Sequence, residues 1–95
     1  MTVLVDDCLW WWRGRQWCHL VSDTSLEELH LFAAQLALSS RAFHGDHYDL
    51  HAGLRAMALR AGAIPVSSRE LVGRLVGSGL RISASQRRAT AVGRR

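Results

Sequence analysis

The sequence predicts a small α/β domain: a two-layer or three-layer sandwich around a mostly parallel four-stranded sheet, with elements in the order β-β-α-β-α-β-α. Three observations predict it. Short apolar, β-branched runs alternate with longer stretches in which leucine and alanine recur every three or four residues. Serine and glutamate stand three apart at Ser25/Glu28 and again at Ser67/Glu70, the spacing of a capping box at a helix start. The chain has 95 residues, 48% of them hydrophobic, which suits one core and one domain.

Thr2-Val3-Leu4-Val5 reads as a strand buried on both faces, with Asp6 and Asp7 at its carboxyl end. Trp17 to Val21 is a second strand, stopped by Ser22-Asp23. The residues between them suit a long hairpin or an open loop turning at Arg13-Gly14. A helix opens at Ser25, buries Leu26, Leu29, Ala33 and Leu36, and ends near Leu38-Ser39-Ser40. Arg41 to His44 reads as a short strand and Gly45 to Tyr48 as a loop. Asp49 then caps a second helix with the stripe Leu50, Leu54, Met57 and Ala61, closed by Gly62. Ala63 to Val66 is a last strand, held at an edge or at its own start by Pro65. Ser67 opens a third helix through Leu71, Leu75 and Val76 to Gly77 or Gly79. The folded domain is expected to span residues 1–80.

Charge is unevenly placed. All 12 basic residues are arginine. Residues 1–80 carry seven arginines against eight acids, a net of −1, whereas residues 81–95 carry five arginines and no acid, a net of +5. The basic character thus belongs to the tail, whose Ser, Ala, Thr, Gly and Arg composition predicts disorder. Its arginines suit phosphate contacts without sequence preference. No apolar run approaches the ~20 residues of a membrane span, and the start lacks a basic-then-apolar signal. The expected home is the cytoplasm, without a membrane partner. There Cys8 and Cys18 stay reduced.

The ionisable residues gather after strands. Asp6 and Asp7 follow the first, Ser22 and Asp23 the second, His44, Asp46, His47 and Asp49 the third, and Ser67 and Ser68 the fourth. Open α/β sheets bind ligands beyond the carboxyl ends of their strands, where helix N-termini also offer free amides to anions. Two chemistries fit such an edge. In the first, Asp6, Asp7 and Asp49, with His30 assisting, hold magnesium or manganese beside a phosphate, His47 moves protons, and Asp7 and His19 complete the catalytic set. In the second, Cys18, His19, His30 and His47 hold zinc, although their spacing matches no standard zinc signature. His44-x-x-His47-x-x-x-His51 is a further ligand-like spacing. No P-loop and no GxGxxG is present.

The combination of Val3-Leu4-Val5-Asp6-Asp7, Trp12-Arg13-Gly14-Arg15, Cys18-His19-Leu20-Val21-Ser22-Asp23, Glu28-Leu29-His30 and Gly45-Asp46-His47-Tyr48-Asp49, followed by Gly62-Ala63, resembles a short bacterial and phage family catalogued as domain of unknown function 4031. The resemblance runs from about Thr2 to Leu80. It implies that Asp6, Asp7, His19, Asp23, His30, His47, Tyr48 and Asp49 anchor a site, and it gives Cys18 no essential part. It implies no particular activity.

All four tryptophans fall within Trp10 to Trp17, beside Arg13 and Arg15. In an extended segment Trp10 and Trp12 point one way and Trp11 the other. One side then covers the sheet. The other, with Trp12, Arg13 and Arg15, suits either a homodimer interface or stacking on nucleic-acid bases. Three readings result: a metal-assisted hydrolase of phosphate esters, a non-catalytic module that binds nucleic acid or protein through the Trp/Arg loop, and a homodimeric accessory domain.

Overall fold

A computed structural model of the chain describes residues 2–82. In order along the chain the elements are β1 (Val3–Val5), β2 (Trp10–Trp12), β3 (Arg15–Ser22), α1 (Leu26–Gln35), a 3-10 turn (Ser40–Ala42), β4 (Tyr48–His51), α2 (Ala52–Arg60), β5 (Ile64–Pro65) and α3 (Ser68–Ser78). The α/β class stands, but the sheet has five strands and is mixed, not mostly parallel. Only β1 and β5 run parallel; β3 is antiparallel to β1, β2 and β4.

β3 organises the sheet because it is the one long strand, with eight residues. Leu20 pairs with both Val5 and Tyr48, and Trp17 with both Trp10 and His51. A strand has two edges, so β4 takes one and β1 and β2 share the other. Between Val5 and Trp10 the chain spends four residues opposite only two of β3, Cys18 and His19. The surplus is a bulge at Asp7 to Leu9, and the strand resumes as β2. The hairpin from β2 to β3 turns at Arg13 and Gly14, both at positive φ (52° and 74°), as a two-residue primed turn requires.

Strand alternation splits the core in two. Val3, Val5, Cys18, Leu20, Tyr48 and Leu50 face one way and are buried under α1 and α2, against Leu29, Ala33, Leu36 and Ala58. Leu4 and Val21 face the other way and meet only α3, through Leu71 and Leu75. The result is a three-layer sandwich whose second face is covered at one end and open at the other.

α1 and α3 begin as their sequences predict: Ser25 and Ser67 each accept a hydrogen bond from the amide of the glutamate three residues on. The second half of the box is absent in α1, where Glu28 accepts from the Ser22 hydroxyl instead. The middle of the chain departs from expectation. Arg41 to His44 is not a strand; a 3-10 turn and a single bridge from Phe43 to Tyr48 occupy it. The strand is Tyr48–His51, where a loop and a helix start are expected. Asp49 therefore caps nothing. The cap of α2 is His51, whose ring accepts from the amide of Gly53. Leu50 is a strand residue, and the buried position of α2 is Ala58 while Met57 is exposed. Of the basic tail, only Arg81 and Ile82 belong to the described residues. Among the described residues no helix is long and apolar enough to cross a membrane.

Candidate metal centre

The register of the sheet sets three polar residues side by side. Asp6 continues β1 by donating its amide to the His19 carbonyl, and His19 pairs with Asp49 across to β4. Residues opposite one another on neighbouring strands share a face. Asp6, His19 and Asp49 thus stand in a row on the open face, one strand apart. His47, just before β4, leans in from the side, its ring centroid 5.2 Å from that of His19.

Within this group His19, His47 and Asp49 each offer one ligand atom, and these atoms all lie within 4.8 Å of one another. Their orientation is fixed from behind. Asp6, 1% exposed, accepts from the His19 amide at 2.6 Å, from His19 Nδ1 at 2.8 Å and from the Ser68 hydroxyl at 3.0 Å. Burial pushes its carboxyl up, but the hydrogen bonds from His19 and Ser68 outweigh that and hold it below the usual carboxylate range. An ionised carboxylate only accepts, so Nδ1 of His19 donates to Asp6, and Nε2 is the ring nitrogen left to bind a metal. The same device recurs at His47, whose Nδ1 lies 2.6 Å from Asp46 Oδ1 while Nε2 lies 3.3 Å from Asp49 Oδ1. Asp46 is fully buried and also accepts from the Ile82 amide at 3.0 Å. Burial disfavours the charged form of His47, yet Asp49 and Asp46 together hold its pKa above the ordinary histidine value. The third ligand is fixed as well: His44 Nε2 lies 2.8 Å from Asp49 Oδ2. Its other oxygen, Oδ1, is buried and faces His47 Nε2 at 3.3 Å.

A cleft of about 320 Å³ opens beside the group, lined by Asp6, His19, His47, Ser68, Leu71 and Arg81 among others. The N-terminus of α3 borders it through Ser68.

The predicted site residues sort into those the fold brings here and those it does not. His19, His47 and Asp49 converge. Asp6 stands behind His19 as its hydrogen-bond partner, its oxygens already occupied. Asp7 lies in the bulge, 58% exposed, and faces Arg55 at 3.7 Å on another surface. His30 is on α1, where its Nδ1 meets the Tyr48 hydroxyl at 2.7 Å and its ring packs on Phe43. Tyr48 and Asp49 are neighbours in β4, so they point to opposite faces, and His30 with Tyr48 lies across the sheet from the cluster. The same alternation removes Cys18: its thiol points away from His19 toward the Leu50 carbonyl. Asp23 ties the Thr2 amide and Arg74 together at the far end of β3. His51 stands beyond Asp49 against Trp17 and caps α2, so it forms no triplet with His44 and His47. Trp12, Arg13 and Arg15 form the outer end of the β2–β3 hairpin. Asp46, which the sequence offers as an alternative metal ligand to Asp49, and His44, which it offers in a ligand-like spacing, stand instead behind His47 and Asp49 as their hydrogen-bond partners.

Fold and cluster together define a small mixed α/β domain with a candidate His-His-Asp metal centre. The chain belongs to the family described as protein of unknown function (DUF4031), whose model matches residues 3–78. No curated protein and no solved structure matches it.

Proposed function

We propose that this chain is a metal-dependent hydrolase of phosphate esters, with the ion held by Nε2 of His19, Nε2 of His47 and the carboxylate of Asp49. One observation carries the reading: three potential ligands lie within 4.8 Å of one another, each held from behind by its own partner, Asp6, Asp46 or His44. A carboxylate on the far nitrogen of a ligating histidine fixes its tautomer and raises its basicity. Two imidazoles and one carboxylate suit zinc, iron(II) or manganese better than magnesium, which prefers oxygen donors. That moves His47 from proton carrier to ligand and Asp6 from ligand to positioning residue.

Two of the three residues that would hold the ion, His19 and His47, line the cleft. An ion there would lower the pKa of a bound water and neutralise charge on a phosphate. The chain's own part is to bind and orient. Arg81, 42% exposed and paired with Asp46 at 3.8 Å, stands at the rim with the N-terminus of α3, where a phosphate would enter.

The test is thermal melting of the chain after chelation, then with each ion in turn. An ion present at about a hundred times its Kd stabilises by about 2.7 kcal/mol, which moves the Tm of a domain this size by about 10–20 °C. His47→Ala and Asp49→Ala should remove that shift. Hydrolysis of a chromogenic phosphodiester by the loaded protein should follow the same pattern. No shift with zinc, iron(II) or manganese would refute the centre; a shift without any hydrolysis would leave a metal site and remove the activity.

A further inference from the structure

Beyond the metal centre, the open half of the same sheet face carries the aromatic residues. Trp12 pairs with Arg15, and Trp17 pairs with Trp10 on one side and His51 on the other, directly next to the His19–Asp49 row. Alternation puts Trp10, Trp12, Arg15, Trp17 and His51 on the face of His19 and Asp49. The ring contacts agree. Trp12 meets Trp17 at 5.7 Å, Trp17 meets Trp10 at 6.0 Å, and Trp10 lies parallel to His19 at 5.3 Å with 8° between the planes. A continuous run of rings thus leads from the hairpin tip to the centre. The Trp17 indole donates to the Trp12 carbonyl at 2.8 Å and fixes the middle of the run.

These rings are not packed away. Trp10 is 37% exposed and Trp12 50%, and the helix on this face, α3, packs only on the Leu4–Val21 end. We propose that this run of rings is a stacking shelf for single-stranded nucleic acid, which delivers a phosphate of the bound strand to the metal centre. The inference rests on the proposed function in that it names the substrate of that site.

Three features favour this occupant. Flat rings two strand residues apart provide two levels, at about 6–7 Å per step, so successive bases have separate places. The Trp10–Trp17 level lies one such step from His19, within reach of the phosphate belonging to a base stacked there. Charge complements a polyanion at the tip, through Arg15 and through Arg13 with its guanidinium 4.5 Å over the Trp12 ring; at the cleft Arg81, 3.8 Å from Asp46, is 42% exposed. Arg15 stands four strand residues from His19, about 13 Å, and Arg13 lies further out in the turn, beyond what a single nucleotide at the metal would span. A strand uses them; a mononucleotide does not. A duplex hides its base faces and gains nothing from the shelf.

The experiment is a titration of the metal-free, chelated protein with a short single-stranded oligothymidine, followed by tryptophan fluorescence and by anisotropy of a labelled strand. Quenching, a preference for the single strand over the matching duplex, and about tenfold weaker binding by Trp12→Ala support the shelf. Arg15→Glu should weaken binding comparably. Trp11→Ala, on the opposite face, should not change it. Thermal melting confirms that each variant is folded, and Trp12→Phe should restore most of the affinity. Unquenched fluorescence, equal binding of the duplex, or an unaffected Trp12→Ala would overturn the inference. So would sedimentation showing a dimer that Trp12→Ala dissolves, because a second copy would then cover the shelf. Metal binding is scored separately by melting. Stacking without any metal shift upholds the shelf and removes the hydrolase; a metal shift without stacking does the reverse.

Discussion

Replacing Asp6 by asparagine keeps the shape of the side chain and removes its charge. Oδ1 can still accept from the His19 amide, the 2.6 Å bond. The new amide group stands where Oδ2 meets His19 Nδ1 at 2.8 Å and the Ser68 hydroxyl at 3.0 Å. An amide nitrogen donates, so Nδ1 must now accept, and the proton moves to Nε2. Nε2 then has no lone pair for a metal. Stability and affinity should therefore respond differently. Losing one charge-assisted hydrogen bond at a buried site costs about 1.5–3 kcal/mol of folding free energy. Metal affinity should fall at least 10- to 100-fold, the usual effect of removing a carboxylate behind a ligating histidine. Ser68→Ala separates the two effects, since it removes one partner of Asp6 and leaves the tautomer alone. It should cost about 1 kcal/mol in urea denaturation and leave zinc affinity nearly unchanged. Competition with a chromogenic chelator measures the affinities, and ring-nitrogen NMR reads the tautomer of His19. Wild-type zinc affinity in Asp6→Asn would refute the orienting role and, with it, the assignment of Nε2 as ligand.

Other consequences follow from the packing. Leu20 is fully buried between α1 and α2 and the sheet, so Leu20→Ala should cost about 2–5 kcal/mol in urea denaturation. A cost below about 1 kcal/mol would mean that this layer is loosely packed. Burial pushes the Asp23 carboxyl up, but hydrogen bonds from Arg74, Thr24 and the Thr2 amide hold it below its ordinary value. Its folded pKa is thus lower than its unfolded one, and its stabilisation is complete above the unfolded value, near 4, and fades as pH falls through the folded one. The stability difference between the native chain and Asp23→Asn should be present at neutral pH and vanish in strong acid; a constant difference would contradict the ion pair with Arg74. Gly14→Ala places a Cβ that meets nothing within 4 Å, so any loss comes from the positive φ alone, about 1–2 kcal/mol by thermal melting. An unchanged Tm would show that the hairpin turn is not held in this conformation.

The outer parts of the fold are legible residue by residue. Val3-Leu4-Val5 is uniformly apolar, two of its three residues are β-branched, and it is buried throughout. The stripe Leu26, Leu29, Ala33, Leu36 and the caps Ser25 and Ser67 are local patterns, and each forms where the pattern stands. Tyr48 to His51 is not legible in this way. Its alternation lasts four residues and runs directly into α2, so the aspartate within it mimics a helix cap. Only pairing with β3 shows it to be a strand. The mixed direction of the sheet escapes for a similar reason, because a short loop and a crossover leave the same trace in composition.

The chain by itself determines that acids and imidazoles accumulate around the strand ends, that tryptophan concentrates beside two arginines, and that helices start at Ser25 and Ser67. Tertiary structure decides which polar residues work together. Strand residues alternate between faces, so one step along the chain separates His19 from Cys18 and Asp49 from Tyr48, while one step across the sheet joins His19 to Asp49 from 30 residues away. That register is set by which apolar side chains must be buried, and a row of ligands appears on the opposite face as its consequence.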